Sequence, residues 1–202
     1  EFLFLTLLLV YLFPYEYFDV VMLPKYIELA KQGKLGIWGT CRGSQSLVVT
    51  FGGSLEQHIV QAYSNPRPDL VDKVRLVAET QPDGVYEKTL EVMKKKNQNW
   101  YTGKVQKVLQ KGVEYAKWLN INSIHHQGYF DKNIENTPLV ALGHNVSYKN
   151  IEMFMHSELP IIGVQHHPEE CDDPYSDILV KYLLERIENN KKVNDKVNII
   201  NA

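Results

Sequence analysis

The sequence predicts an α/β fold in layers, with a largely parallel central sheet. Short apolar segments of strand length alternate with longer segments whose apolar residues recur at helical spacing, which is typical of helices packed on a parallel sheet. The opening apolar run, residues 2–13, is continuous, as expected of a strand buried on both faces. The 202 residues are enough to bury one core, so we expect a single domain over 1–202.

The N-terminal segment is interpreted as a buried strand. The run at 2–13 is short for a membrane span, which needs about 20 residues, and it lacks the basic flank of a signal peptide. A membrane anchor is the alternative, but membrane insertion is not expected. Because the chain begins with Glu1 and not Met, we expect its N-terminal part, residues 1–18, to be incomplete.

The next elements surround a short apolar strand. A helix is predicted over 19–32, with Gly33 at its end. The strand LGIWGT follows at 35–40, and a second helix is predicted over 42–51.

The rest of the chain continues the alternation, and its short late strands suit an antiparallel flap. The predicted strands lie at 73–79, 119–127, 139–143, 151–155 and 159–165. The predicted helices lie at 84–96, 104–119 and 174–188.

Composition excludes several classes of function. The formal net charge is −2 and no long basic block occurs, so no nucleic-acid partner is expected. The two cysteines, Cys41 and Cys171, cannot form a disulfide framework, which favours a reducing compartment and a cytoplasmic location.

The segment GTCRG, residues 39–43, has the form of a nucleophile elbow. It lies between a predicted strand and a predicted helix, and glycine stands two residues before and two residues after Cys41. In such a turn the backbone passes so close to itself that a Cβ at either glycine would clash. The turn presents the sulfur at a helix N-terminus, where the helix dipole favours the thiolate. A buried structural cysteine beside two turn glycines is the alternative, so the motif needs partners elsewhere.

The segment GVQHHPEE, residues 163–170, offers a base and an orienting acid. In extended backbone, residues i and i+2 point the same way, so His167 and Glu169 would present their side chains together. Pro168 favours extended geometry at the residue before it. A histidine held by a carboxylate is the base half of a cysteine triad, whereas a polar strand end with a turn proline is the alternative.

Four blocks stand in a specific order: CRGSQ at 41–45, FGGSLEQHI at 51–59, INSIHHQ at 121–127 and GVQHHPE at 163–169. With them the chain resembles the class I glutamine amidotransferase-like superfamily, and within it the γ-glutamyl-γ-aminobutyrate hydrolase type (the gamma-glutamyl hydrolase peptidase family). The resemblance covers residues 35–188. It implies a flavodoxin-like, three-layer α/β sandwich with a mainly parallel central sheet. It also implies hydrolysis of the side-chain amide of glutamine, or of a γ-glutamyl amide, through a thioester.

The resemblance assigns roles by position. It implies that Cys41 is the nucleophile, His167 the general base and acid, and Glu169 the residue that orients the imidazole. The main-chain N–H of Arg42 would line the oxyanion hole. The residues implied to hold the substrate or border its pocket are Arg42, Gln45, His125, His126 and Gln127.

No cofactor and no metal are expected. Two histidine pairs and a cysteine raise a zinc hypothesis, but adjacent histidines at 125/126 and 166/167 cannot easily both face one ion from an extended chain. The expected partner is a small molecule, glutamine or another γ-glutamyl substrate. A separate synthase chain that accepts ammonia stays open as a partner, since we expect no synthase domain within these 202 residues.

The sequence departs from the family pattern before Cys41. Family members carry a glycine-rich turn that supplies a second oxyanion donor, whereas the first glycine here is Gly33. Loss of one oxyanion donor costs about 2.7–4 kcal/mol of activation barrier. The alternative to an enzyme is therefore a non-catalytic, truncated relative that acts as a binding or partner module.

Overall fold

The computed structural model describes residues 3–7, 17–59, 71–76, 118–122, 125–170 and 174–200, together with positions 82, 85 and 88. The helices predicted over 84–96 and 104–119 lie almost wholly outside these residues, as does Cys171. These predictions remain untested.

Seven described strands form a single sheet. They are β1 (Leu3–Leu7), β2 (Leu35–Thr40), β3 (Val71–Leu76), β4 (Trp118–Asn122), β5 (Leu139–Asn145), β6 (Ile151–His156) and β7 (Ile161–Val164). Their order across the sheet is β1-β2-β7-β6-β5-β3-β4. β2 is parallel to both of its neighbours, β1 and β7. From β7 to β4 each strand is antiparallel to the next.

The α/β class is confirmed, but the described sheet is mixed and not mainly parallel. Among the described strands, parallel pairing is confined to β2, and the remaining pairs are antiparallel. The reason is the length of the connections. A parallel pair needs a crossover of roughly a dozen or more residues, whereas β5, β6 and β7 follow one another through short turns.

Four helices are described, and one of them begins with a π-helical turn. They are α1 (Leu23–Lys31), α2 (Arg42–Thr50), the short α3 (Asp131–Ile134) and α4 (Pro174–Ile200). The π-helical turn, Phe18–Met22, precedes α1, and Pro24 is the second residue of that helix. Proline has no N–H to donate and is tolerated only near a helix start, so the helix predicted over 19–32 is divided at this point.

Helices pack on both faces of the sheet and create two cores. One core joins α1 and α2 to β2 through residues that include Ile27, Ile37 and Leu47. The other joins α4 to the opposite face through residues that include Trp38 and Leu179. Consecutive residues of β2 therefore enter different cores, as the alternation of a strand requires, and the described layers form a three-layer sandwich.

Most predicted strands within the described residues are confirmed with shifted ends. Leu3–Leu7 is a strand inside the apolar run at 2–13, and it pairs in parallel with β2. The helix predicted over 174–188 continues to Ile200. Among the described residues, no helix combines the length and the apolar character needed to cross a membrane.

Candidate active site

Cys41 occupies a strained turn between β2 and α2. Its φ is +50° and its ψ is −110°, a conformation that residues other than glycine rarely adopt. Its N–H donates to the Val164 carbonyl on β7 at 2.8 Å. Its carbonyl accepts hydrogen bonds from the Ser44 hydroxyl at 2.7 Å and from the main-chain N–H groups of Ser44 and Gln45 at 3.0 and 3.2 Å. The strain is thus held by a neighbouring strand and by the first turn of α2.

The two glycines of the elbow approach each other as the motif predicts. A Cβ built on Gly39 would lie 2.9 Å from the carbonyl carbon and oxygen of Gly43 and 2.7 Å from a methyl group of Leu47. Backbone atoms cannot yield as the end of a flexible side chain can, so any larger residue at position 39 would push β2 away from α2.

His167 contacts Cys41 and is backed by Glu169. Its Nδ1 lies 2.7 Å from Glu169 Oε1, and the sulfur of Cys41 is its other hydrogen-bond partner. Because Glu169 engages Nδ1, Nε2 is the ring nitrogen left to interact with the sulfur. The hydrogen bond with Cys41 is the main reason that the pKa of His167 is raised to about 9; burial opposes the rise and Glu169 adds to it. At neutral pH the ring therefore carries both protons.

The backbone that brings His167 and Glu169 together is not the extended segment that the sequence predicted. Pro168–Glu170 form a 3₁₀ turn, in which the Glu170 N–H donates to the His167 carbonyl at 3.1 Å. The fixed φ of proline suits the start of a helical turn as well as extended backbone. The predicted pairing is present, but a turn and not a strand carries the carboxylate to the imidazole.

The loop at His125–Gln127 places its two histidines differently. His125 is buried, with 4% of its side chain exposed, and its Nδ1 donates to the Gln127 carbonyl at 2.8 Å. His126 is exposed, and its ring centre lies 5.8 Å from that of His58. Of the two histidines that the resemblance placed at the pocket, only His125 enters the interior.

A buried carboxylate lies behind His125. Glu152 has none of its side chain exposed, and its Oε2 lies 3.5 Å from Nε2 of His125. At this distance the attraction is mainly between charges and not a well-formed hydrogen bond. The other oxygen, Oε1, accepts hydrogen bonds from Nδ2 of Asn145 at 3.2 Å and from Nδ2 of Asn150 at 2.8 Å. The carboxylate is therefore enclosed by polar groups that favour its charge.

The two buried groups stabilise each other's charged forms. Burial raises the pKa of Glu152, but the charge of His125 and the two asparagine amides outweigh it, so the net shift is downward. Burial lowers the pKa of His125, but Glu152, the Gln127 carbonyl and Cys41 outweigh it, so the net shift is upward. Each group thus favours the charged form of the other, and Cys41 is close enough to His125 to interact with it electrostatically.

Tyr129 connects this interior to the elbow. Its hydroxyl donates to Ser44 Oγ at 3.0 Å, and the Ser44 hydroxyl in turn donates to the Cys41 carbonyl. Burial raises the pKa of Tyr129, so the phenol keeps its proton and stays a donor. The chain of two hydrogen bonds supports the strained conformation of Cys41.

The side chains of Arg42 and Gln45 are held by neighbouring protein groups. Arg42 Nη2 lies 2.6 Å from Asp19 Oδ2, which ties the π-helical turn to α2. Gln45 Nε2 donates to the Gln127 carbonyl at 3.1 Å and to Gln165 Oε1 at 3.2 Å. These contacts fix the walls beside the elbow, while the oxyanion role predicted for Arg42 concerns its main-chain N–H at the start of α2.

A cavity of about 350 Å³ opens beside the elbow. It runs along α2, between the π-helical turn and the loop that contains Gln127. Its lining residues are Asp19, Val20, Arg42, Gln45, Ser46, Val49, Thr50, Leu55 and Gln127. Cys41 precedes Arg42 in the chain but is not among the residues that line the cavity.

The histidine pairs also bear on the zinc hypothesis. His166 is buried, and its Nε2 lies 3.4 Å from Ser176 Oγ on α4, whereas the ring of His167 meets Glu169. The rings of His166 and His167, although adjacent in sequence, therefore contact different parts of the protein. Within the part of the chain that the structure describes, no group of three or more His, Cys, Asp or Glu side chains is placed to hold a metal ion.

Sequence reasoning missed Glu152 and Tyr129. The signal for Glu152 was available: it is a carboxylate inside the otherwise apolar strand IEMFM. A charge in a buried strand is costly unless it is paired, so it indicates an interior partner. Tyr129 carried no such signal, because a buried tyrosine is common in any core.

Comparison with known proteins identifies the family. A sequence model of the Peptidase C26 family matches residues 19–169, which is most of the chain. The chain belongs to the Peptidase C26 family. The matched segment contains Cys41, His167 and Glu169, and the resemblance to the class I glutamine amidotransferase-like superfamily is confirmed.

One curated relative of this Peptidase C26 chain comes from Schizosaccharomyces pombe. It bears the name "Putative glutamine amidotransferase PB2B2.05" and is 30% identical over 171 residues. The match covers 79% of this chain and 54% of the relative, so the chain spans about half the length of that protein.

Two solved structures are similar in fold. One, from Thermoplasma acidophilum, is described as a "putative GMP synthase" component; it has a TM-score of 0.51 and 14% identity, covering 85% of this chain and 70% of the other. The second, a glutamine amidotransferase from Thermotoga maritima, has a TM-score of 0.46 and 19% identity, covering 95% and 72%. The first likeness supports the α/β fold and carries no statement about substrate.

Proposed function

We propose that this Peptidase C26 chain is a cysteine-dependent hydrolase of the side-chain amide of glutamine or of a γ-glutamyl amide. The observation that carries the proposal is the contact between Cys41, in its strained turn, and His167, whose Nδ1 lies 2.7 Å from Glu169. This arrangement supports the proposed roles of Cys41 as nucleophile, His167 as proton carrier and Glu169 as orienting carboxylate. Family membership supports amide hydrolysis as the class of reaction.

In the first half-reaction, the Cys41 thiolate attacks the carbonyl carbon of the γ-glutamyl group. The carbonyl π electrons move to the oxygen, and the resulting oxyanion accepts a hydrogen bond from the main-chain N–H of Arg42 at the N-terminus of α2. Nε2 of His167 then gives its proton to the leaving nitrogen as the C–N bond breaks. Ammonia or an amine departs, and the glutamyl group remains on the sulfur as a thioester.

In the second half-reaction, the neutral His167 accepts a proton from water while that water attacks the thioester carbon. The C–S bond breaks, glutamate leaves, and the thiolate and the imidazolium are restored. Glu169 keeps the proton on Nδ1 throughout, so Nε2 is the nitrogen that exchanges protons at each step.

The cavity along α2 suits the glutamyl part of the substrate. It is lined by Gln45 and Gln127 and opens beside Arg42, so a ligand in it reaches toward the elbow. Its volume of about 350 Å³ is large enough for a group the size of one amino acid. The identity of the departing amine is left open by this arrangement.

Covalent capture tests the proposal. A chloroketone analogue of glutamine should form a stoichiometric adduct with Cys41, detected by mass spectrometry of the intact protein and of its peptides. Cys41→Ala should lose both the adduct and the turnover of a chromogenic γ-glutamyl anilide. Cys171→Ala, which removes the other cysteine of the sequence, is the matched control and should keep both.

Two results would contradict the proposal. One is unchanged turnover in Cys41→Ala. The other is a folded wild-type protein that neither forms the adduct nor hydrolyses glutamine or the anilide, which would favour the non-catalytic binding module.

A further inference from the structure

We propose that Asn122 is a positioning residue that holds the main chain of His167 and so directs the imidazole toward Cys41. This inference rests on the proposed function, in which His167 transfers protons. Asn122 Nδ2 donates to the His167 carbonyl at 2.9 Å, and the His167 N–H donates to Asn122 Oδ1 at 2.8 Å. One side chain thus engages both polar main-chain groups of the proposed proton carrier.

We call the two hydrogen bonds between Asn122 and the main chain of His167 the clamp. A carboxamide is the group that this clamp requires. It offers one donor and one acceptor side by side, which match the C=O and the N–H of a single residue as a neighbouring strand would. A carboxylate of the same size offers acceptors only, and an aliphatic side chain offers neither group. The chemistry of Asn122 therefore fits this contact better than any other residue of its length.

The clamp joins two segments that are far apart in the sheet. It is the last residue of β4, the edge strand of the described sheet, whereas His167 follows β7 on the other side of β6, β5 and β3. His125, whose buried side chain interacts with Cys41, lies three residues after Asn122 in the sequence. Asn122 thus joins the end of β4 to the turn that contains His167.

The ring of His167 needs this support because packing does not enclose it. Its side chain is 23% exposed, and that of its partner Glu169 is 42% exposed. Contacts with Glu169 and Cys41 hold the ring only while the main chain stays in place, since the main chain sets the direction of the Cα–Cβ bond. A small rotation of the backbone at His167 would carry Nε2 away from the sulfur.

The test compares two asparagines with equivalent hydrogen bonds. Asn122→Leu removes both bonds to His167 and keeps the same number of side-chain heavy atoms. Asn133→Leu is the matched control, because Asn133 Oδ1 accepts from the Phe130 N–H at 2.8 Å and its Nδ2 donates to Ser54 Oγ at 2.8 Å, outside the proposed triad. Asn122→Ser serves as a second variant if the leucine protein does not fold.

Four quantities are measured on each folded variant. They are the melting temperature and, below that temperature, kcat and KM for the γ-glutamyl anilide and the titration of the His167 ring nitrogens by NMR. We expect Asn122→Leu to lower kcat roughly 10²-fold with little change in KM, as a misplacement near 1 Å does. The pKa of His167 should fall from about 9 toward its ordinary value of 6.5, because the contact with Cys41 that raises this pKa is weakened. Asn133→Leu should lower the melting temperature and leave both kcat and the titration unchanged.

The outcomes separate this inference from the proposed function. If the pKa of His167 in Asn122→Leu and in Asn122→Ser equals that of the wild-type protein, the inference is overturned, whatever the turnover. An equal change in Asn133→Leu also overturns it, because the cause would then be a general loss of stability. If the wild-type protein hydrolyses nothing but Asn122→Leu still moves the titration, the proposed function fails and the clamp stands.

Discussion

Two histidine–glutamate pairs approach Cys41, and they differ in burial and in geometry. In the first pair, Nδ1 of His167 lies 2.7 Å from Oε1 of Glu169, and both side chains are partly exposed. In the second, Nε2 of His125 lies 3.5 Å from Oε2 of Glu152, and both side chains are almost completely buried. The first pair joins neighbours within one turn, whereas the second joins a loop to the interior strand β6.

The difference shows how one pair of residue types can serve two purposes. The exposed pair can exchange protons with substrate and water, because either charge state of His167 is solvated or paired. The buried pair cannot change its ionisation without leaving an uncompensated charge in the interior, which is costly. The exposed pair is therefore suited to proton transfer, and the buried pair to a fixed charge beside Cys41.

The largest expected effect comes from removing the exposed base. His167→Ala should reduce turnover at least roughly 10⁴-fold, because both proposed half-reactions pass a proton through this ring. Its unfolding free energy at neutral pH should also fall, because the protonated ring loses its stabilising contacts with Cys41 and Glu169. Steady-state assays and urea unfolding measure the two quantities.

The control for His167→Ala is His144→Ala. His144 forms an exposed pair with Asp131 at 2.9 Å, outside the proposed triad. It should keep full turnover. A comparable loss of activity in both variants would mean that the exposed pair at the elbow has no special role.

The next effect comes from breaking the buried pair. Glu152→Leu leaves His125 without its counter-charge and removes the acceptor of two asparagine amides, so it should destabilise the protein by about 3–5 kcal/mol. Glu169→Leu, the same change in the exposed pair, should cost no more than about 1 kcal/mol of stability while it lowers turnover. Equal shifts in the midpoint of urea unfolding would refute the contrast between the pairs.

A smaller effect concerns pH. The pKa of His167 is raised to about 9 from 6.5. A raised pKa means that the protonated ring stabilises the folded state fully below pH 6.5 and that this stabilisation is lost as the pH rises through about 9. NMR titration should show a larger downward shift of this pKa in Cys41→Ala than in Glu169→Gln, because the contact with the sulfur is the larger cause. The reverse order would show that the carboxylate dominates.

The smallest effect is expected at Tyr129, which connects the buried region to the elbow. Tyr129→Phe removes the hydroxyl that donates to Ser44 and should cost about 1 kcal/mol of unfolding free energy. Turnover should fall by less than roughly 10-fold, because the Ser44 hydroxyl still donates to the Cys41 carbonyl. Calorimetry and kinetics on the same preparation test this, and a loss as large as that of His167→Ala would contradict it.

Local features of the site were predictable because local geometry imposes them. The close approach of Gly39 to Gly43 and the turn at Cys41 depend on residues within one strand–helix junction. The pairing of His167 with Glu169 was also predicted, although the backbone that achieves it is a 3₁₀ turn and not a strand. For residues so close in sequence, the chemistry of the side chains predicts which groups will pair more reliably than it predicts the backbone conformation between them.

The direction of strand pairing was less predictable. The alternation of helices and strands indicates layers, but the short turns from β5 to β7 favour antiparallel neighbours in the described sheet. A strand buried on both faces has the same apolar pattern in either direction, so hydropathy alone cannot distinguish them.

By itself, the amino-acid sequence determined the α/β class, the elbow at Cys41 and the identity of the groups available for acid–base chemistry. Only the tertiary structure decided that Asn122 holds the main chain of His167 and that Glu152 lies behind His125. These contacts join segments far apart along the chain. No local pattern encodes them, because which distant groups meet depends on how the whole sheet is ordered.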